Sequence, residues 1–317
     1  MGSINKVFKT LDEQVSILRS KGLIIDNEVY AKDILLRENY FFLNGYRFPL
    51  YDENKRFVKG STFEELYSIF LFDRVLRNAI FKNVLVIENN IKSIMAYVLS
   101  RKYGYKESEY LKPKNFDTSD SKKHQVIDIL NKMKRQIRIN GDQHAATRHY
   151  RYNYGYIPLW VLVKVLSFGI IADFYNILKI EDRVEIANFY HIEADELTVY
   201  LSLLANYRNI CAHEDIIYET KTQRGINGTF YHEALGIKKD ETGEYEKGRN
   251  DLFSLLIMIK IMLRKEESLN FMLEVEREID HLNYNLHSIK IDVVLERMGF
   301  PYNWKELGDL EVNDGRK

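Results

Sequence analysis

Along most of the chain, apolar residues recur three and four positions apart, which is the spacing of helices that bury one face. Residues 10–22, TLDEQVSILRSKG, place Leu11, Val15, Ile17 and Leu18 on one stripe and stop at Gly22. Residues 26–39 predict a second helix, capped by Asp26 or Asn27. In residues 39–52, NYFFLNGYRFPLYD, a short helix should end at a turn over Asn44-Gly45, ahead of Pro49. The pattern then predicts one or two long amphipathic helices over 62–104. Thr62 and Glu65 are spaced as a capping box at their start, and Gly104 stands at their end. A basic helix is expected over 121–138, followed by an irregular aromatic segment at 141–157. A helix opened by Pro158 should run to about Lys179. Residues 193–217, EADELTVYLSLLANYRNICAHEDII, predict another helix, with acids in the first turn where its dipole favours them. Five glycines between 225 and 248 mark 221–249 as a loop or small hairpin insertion. Helix returns over 250–280, in one piece or two, and a short helix covers 288–298.

Composition sharpens this picture. Only 4 prolines break 317 residues, and 45% of the chain is hydrophobic, so an all-α fold with a sizeable core is expected. The expected organisation is an N-terminal helical extension over 1–60, a helical core over 61–265 carrying the 221–249 insertion, and a C-terminal helical segment over 266–317 packed on it. There are 46 basic and 46 acidic residues, so bulk charge favours no partner and only local clusters can. Cys211 stands alone, which excludes an internal disulfide and fits a reducing compartment. No stretch has the length of a membrane span, and the polar start, MGSINKVFKTLDEQ, has no signal-peptide apolar core. The expectation is a cytoplasmic protein with no membrane partner.

The search for familiar chemistry mostly comes back empty. Neither phosphate-loop glycine pattern occurs. HEALG at 232–236 starts like a zinc-protease helix but lacks its second histidine. His144 and His149 have no carboxylate pair nearby. Neither a metal nor a cofactor is therefore expected. The stretch ANYRNICAHED, residues 205–215, differs from the rest because it sets Arg208, Asn209 and His213 into an otherwise apolar run. On a helix Asn209 and His213 share a face. Arg208 lies about 140° round and about 7.5 Å along the axis from His213. Arg208 and His213 could flank one groove, or two copies of the motif could close a site together. Arginine offers a planar fork to phosphate oxygens, and histidine exchanges protons near neutrality. Such a pair meets the needs of RNA cleavage through the 2′-hydroxyl without a metal. The structural alternative pairs Arg208 with a carboxylate and His213 with the carbonyls at the helix end.

RNICAHE resembles the R-N-x-x-A-H form of the R-x(4–6)-H motif of HEPN ribonucleases. FFLNGYRFPLYD at 41–52, the run from Glu65 to Gly104, and IPLWVLVKVLSFGIIADFY at 157–175 resemble Abi-type abortive infection proteins of that superfamily, in the same order. The resemblance implies a HEPN-like helical bundle and a metal-independent endoribonuclease leaving 2′,3′-cyclic phosphate and 5′-hydroxyl ends. It implies a role in phage defence, or as a toxin held by a small structured RNA, and a homodimer whose two motifs meet. Arg208 and His213 then take the catalytic places and Asn209 the polar supporting one, while Cys211 is a packing residue. Lys164, before LSFG, stands where such proteins often carry an acid, which alters the charge of the groove there. Glu88 on the long helix is the expected buried partner of Arg208.

Between 121 and 153, eight lysines and arginines face two aspartates. Lys134, Arg135, Arg138, Arg148 and Arg151 are the candidate phosphate contacts, with Tyr152 and its neighbouring tyrosines as stacking surfaces. Lys164, Tyr46 and Arg47 are further RNA-binding candidates, while Phe41, Phe42 and Phe48 are expected in the core. The alternative function is a catalytically silent protein of the same fold that binds a small structured RNA.

Overall fold

The computed structural model describes residues 7–311. The first six residues of the polar start, and the end of the 266–317 segment, lie outside them. Among the described residues are fifteen α-helices and five short 3-10 helices, with isolated bridges but no strand. The fold is all-α.

Helices α1 (Leu11–Ser20) and α2 (Glu28–Glu38) pack as a pair. Asn27, not Asp26, caps α2 by accepting the Tyr30 N–H. Helix α3 (Tyr40–Leu43) leads directly into a 3-10 helix, Asn44–Leu50, so the expected turn at Asn44-Gly45 does not form. Gly45 lies under the Ile216 side chain, whose terminal methyl a Cβ there would displace. The three-residue period of this segment turns Leu43, Tyr46 and Pro49 inward. Phe48 is therefore left 39% exposed, and Phe41 and Phe42, on the short α3, are 75% and 58% exposed, although all three were expected in the core.

Helix α4 (Phe63–Tyr103) is the axis of the molecule, 41 residues and about 60 Å long. It contains no glycine or proline, and the Thr62–Glu65 capping box opens it as expected. The second oxygen of the buried Glu65 accepts the backbone N–H groups of His287 and Ser288, each at 2.6 Å. Gly104 ends the helix with a φ of +92° that other residues rarely adopt.

After α5 (Glu107–Tyr110), the basic helix α6 (Lys123–Asn140) forms as expected. The next segment is not irregular. It forms α7 (Ala145–Tyr154), whose Thr147 hydroxyl ties back to the Asn140 and His144 carbonyls. The expected helix over 158–179 is broken. Helix α8 (Leu159–Leu162) and a 3-10 turn at Val163–Val165 stop at an extended Leu166. Ser167 then caps α9 (Phe168–Asn176) by accepting the Ile170 N–H, because a serine hydroxyl competes well for that role. Pro158 is the N-cap of α8 and not a first-turn residue.

Helices α10 (Ile180–Ala187) and α11 (Ala194–Ala212) return along α4. The 221–249 insertion holds α12 (Phe230–Ala234) and a bridge between Lys239 and Tyr245. His232 pins it by bonding the Gly248 carbonyl and stacking on Tyr245. The 250–280 helix is in two pieces, α13 (Leu252–Met262) and α14 (Lys265–Asn285), and α15 (Ile291–Arg297) follows. Helix α13 is apolar almost all round, as a helix enclosed by others must be, and α14 lies against α4. The buried residues form one continuous cluster from α1 to the 3-10 helix Trp304–Gly308.

Candidate functional site

Helix α11 runs antiparallel to α4. Asp182, before its start, bonds Tyr103; Arg208, near its end, faces Glu88; and Asp215, just past it, bonds Arg77 through its carbonyl. The end of α11 is a Schellman closure: the Glu214 N–H reaches the Cys211 carbonyl and the Asp215 N–H reaches the Ile210 carbonyl. Its left-handed position, usually a glycine, is Glu214 at φ 58°, a conformation that costs about 1 kcal/mol for a residue with a Cβ. His213 is the C-cap, so the imidazole projects from the last turn where the backbone leaves the helix axis.

The chain leaving that turn is held by a buried cluster. Asp73 is fully enclosed and accepts hydrogen bonds from the Tyr46 hydroxyl, the Arg77 guanidinium and the backbone N–H groups of Ile217 and Tyr218. Arg77 gives a second bond to the Asp215 carbonyl at 3.1 Å. Burial pushes the Asp73 carboxyl up to about 6, while its four donors act to favour the charged form. Tyr46 is thus a core residue, 2% exposed, and is corrected from the RNA-binding set. Its hydroxyl is committed to Asp73 and its ring stacks on Tyr218. Arg47 pairs with no acid among the described residues. Its guanidinium bonds the Asn44 carbonyl and lies 4.2 Å over the Phe48 ring.

Arg208, Asn209 and His213 all reach solvent, and none of the three side chains makes a hydrogen bond among the described residues. Arg208 is the most enclosed. Its guanidinium lies 5.6 Å over the Phe81 ring, and its Nε is 3.9 Å from Glu88 Oε2. The expected partner is therefore in place, but as an ion pair without a hydrogen bond. Glu88 Oε2 and Arg208 Nε are both buried and unsatisfied, while the other Glu88 oxygen is taken by Lys92 at 2.6 Å. The structural alternative for His213, a bond to the helix-end carbonyls, is not made. Cys211 faces the core between them, and burial pushes its thiol up to about 12.

The remaining candidates are distributed over neighbouring helices. Lys134, Arg135 and Arg138 are exposed on α6, with no acid paired to them among the described residues. Arg148 is likewise exposed and unpaired on α7, whereas Arg151 pairs with Asp142 at 3.2 Å. Because 145–154 is helical, the tyrosines do not alternate across a strand. Tyr150 and Tyr154 stack one turn apart at 5.2 Å, and Tyr152 projects alone, 73% exposed. Lys164 is exposed beside the second half of α4, where it lines a cavity of about 560 Å³ next to Lys92.

A family model described as Abi-like protein matches residues 33–219, more than half of the chain. The chain belongs to the Abi-like family. No curated protein and no solved structure matches it. The Abi-like match opens in α2 and closes one residue past Tyr218, so it encloses both the Asp73 cluster and the Arg208–His213 stretch. It stops short of the glycine-rich insertion.

Sequence reasoning missed Asp73 and Arg77. Their signal was present: an acid and a base four apart, in helical register with the apolar face of Ile69, Leu76 and Ile80. It also missed Lys92, which bonds one oxygen of Glu88, and the aromatic residues of the cavity.

Proposed function

We propose that this Abi-like protein is a metal-independent endoribonuclease of the HEPN type that acts in phage defence. It would cause abortive infection directly, or serve as a toxin restrained by a small structured RNA. The observation that carries this reading is the end of α11. There a guanidinium, an amide and an imidazole stand at the surface with no hydrogen bond among the described residues, on a turn fixed from behind by Asp73 and Arg77. His213 moves a proton at the 2′-hydroxyl or at the leaving 5′-oxygen. Arg208 stabilises the charge that develops on the phosphate, with Glu88 holding the guanidinium from the buried side. Asn209 steadies His213 or a phosphate oxygen. The bond broken is P–O5′, and the 2′-oxygen becomes the new phosphorus ligand, which gives 2′,3′-cyclic phosphate and 5′-hydroxyl ends. A homodimer in which two such turns share one cleft suits a helix end whose polar groups are left unsatisfied by their own chain.

Purified protein incubated with end-labelled RNA in EDTA tests the reading. Cleavage with cyclic-phosphate ends, lost in His213→Ala, supports it. RNA that co-purifies and stays intact with every variant supports a silent RNA-binding protein, and an RNA-free inert protein sinks both.

A further inference from the structure

Beyond Glu88, the open face of α4 meets α8 and the following 3-10 turn, and between them lies the cavity of about 560 Å³. Its wall carries Lys92, Arg101 and Lys164, with Tyr97, Tyr105 and Trp160; no acid lines it, and Lys92 and Arg101 pair behind it with Glu88 and Glu185. Three properties set it apart from an ordinary surface dent. The Trp160 ring is 45% exposed and stacks on no other ring among the described residues. Lys164 has no ion-pair partner among the described residues. Ser100 Oγ, also in the wall, is buried and has no hydrogen-bond partner.

Two structural routes join this cavity to the rest of the protein. Lys92 lies in its wall and bonds Glu88, whose other oxygen faces Arg208, so one acid separates the cavity from the end of α11. The centre of the wall, near Ala96, is about 12 Å along α4 from Glu88. On the other side, rings follow one another from α7 inward. Tyr150 contacts Tyr154 at 5.2 Å, Tyr154 contacts Tyr156 at 6.3 Å, and Tyr156 contacts Tyr105 at 5.3 Å. Tyr105 lies in the cavity wall, so this path ends in the same wall that carries Trp160.

We infer that this cavity is a subsite for one unpaired nucleotide of a bound RNA strand. The base stacks on Trp160, the phosphate sits on Lys164, and Ser100 offers its hydroxyl to a polar edge. Flat rings suit any base, an exposed lysine with no acid paired to it among the described residues suits phosphate, and a duplex cannot present a single base to such a recess. The inference rests on the reading of the chain as a protein that acts on RNA.

Trp160 supplies a direct readout. The chain has two tryptophans, and Trp304 is buried, so a Trp304→Phe background leaves Trp160 as the only indole signal. The probe is a 2′-O-methyl oligoadenylate, which cannot be cut through its 2′-position, titrated into the 317-residue protein. Saturable quenching that weakens with salt is expected. Lys164→Glu, or Trp160→Ala read by anisotropy of a labelled probe, should weaken binding about tenfold or more. No quenching overturns the subsite. Duplex RNA or free AMP binding as tightly as the oligomer overturns the assignment to an unpaired nucleotide of a strand. The two readings fail separately. Quenching without cleavage by any variant sinks the nuclease and leaves the subsite, whereas cleavage without quenching sinks the subsite alone.

Discussion

Helix α4 carries two acid–base pairs with the same spacing and nearly the same length, Asp73–Arg77 at 2.7 Å and Glu88–Lys92 at 2.6 Å, and they are used in opposite ways. Asp73 has a donor at every face, and Arg77 spends a further N–H on the Asp215 carbonyl. Glu88 is satisfied on one oxygen only, and the atom opposite the other, Arg208 Nε, is unsatisfied too. A buried polar group with all its bonds made holds structure in place; one left short stores a demand that a ligand can meet. The first pair therefore fixes the backbone beyond His213, and the second keeps Arg208 available.

The sharpest way to break the comparison is at its open end. His213→Ala should lower RNA cleavage by about 10²–10⁴-fold, read by single-turnover kinetics, with an unchanged thermal midpoint. A large loss of stability in that variant would show that the imidazole packs rather than reacts. The closed end should respond the other way. Asp73→Ala strands the Arg77 guanidinium and two backbone N–H groups inside the protein, and should cost about 3–5 kcal/mol in urea unfolding. A change below 1 kcal/mol would deny the cluster its structural role. Glu88→Gln keeps shape and can still accept the Lys92 bond, so its cost should stay near 1 kcal/mol while cleavage falls. Equal effects of Asp73→Ala and Glu88→Gln on stability would erase the distinction between the two pairs.

The smallest effect is a pH dependence. The folded Asp73 carboxyl is raised to about 6, above its ordinary value of 3.8, so the fold takes up this proton before the unfolded chain does. Its stabilising contribution is complete below the unfolded value and fades as pH rises through about 6. Wild type should therefore gain about 1 kcal/mol on Asp73→Asn between pH 7 and pH 5, measured by denaturant midpoints. A gap that narrows over that range would show that the four donors outweigh burial and keep the carboxyl charged.

What could be read from the sequence was local. The Thr62–Glu65 box and the stop at Gly104 are each written within a few consecutive residues, and both form. Arg208, Asn209 and His213 were found because polar residues interrupt an apolar pattern. The misreadings arose where a different period took over. Phe48 points outward because a three-residue turn, not a 3.6-residue one, governs 44–50, and Phe41 and Phe42 lie on the outer side of the single-turn α3 before it. Tyr152 to Tyr156 alternate in sequence, yet a helix runs through most of them. The cavity was out of reach altogether, because Tyr97 and Trp160 are far apart in the chain and only packing brings them to one wall.

Glu65 has a practical consequence. The same carboxylate that starts α4 also receives the backbone at 287 and 288, and α13 fills the space that α4 and its neighbours leave. The stretch matched by the family ends near 219, so a fragment trimmed to that stretch would lose a buttress at the first turn of its longest helix and the whole of its innermost one. Expression of the shortened piece should give aggregate, and work on the Arg208–His213 turn needs the later third of the polypeptide attached.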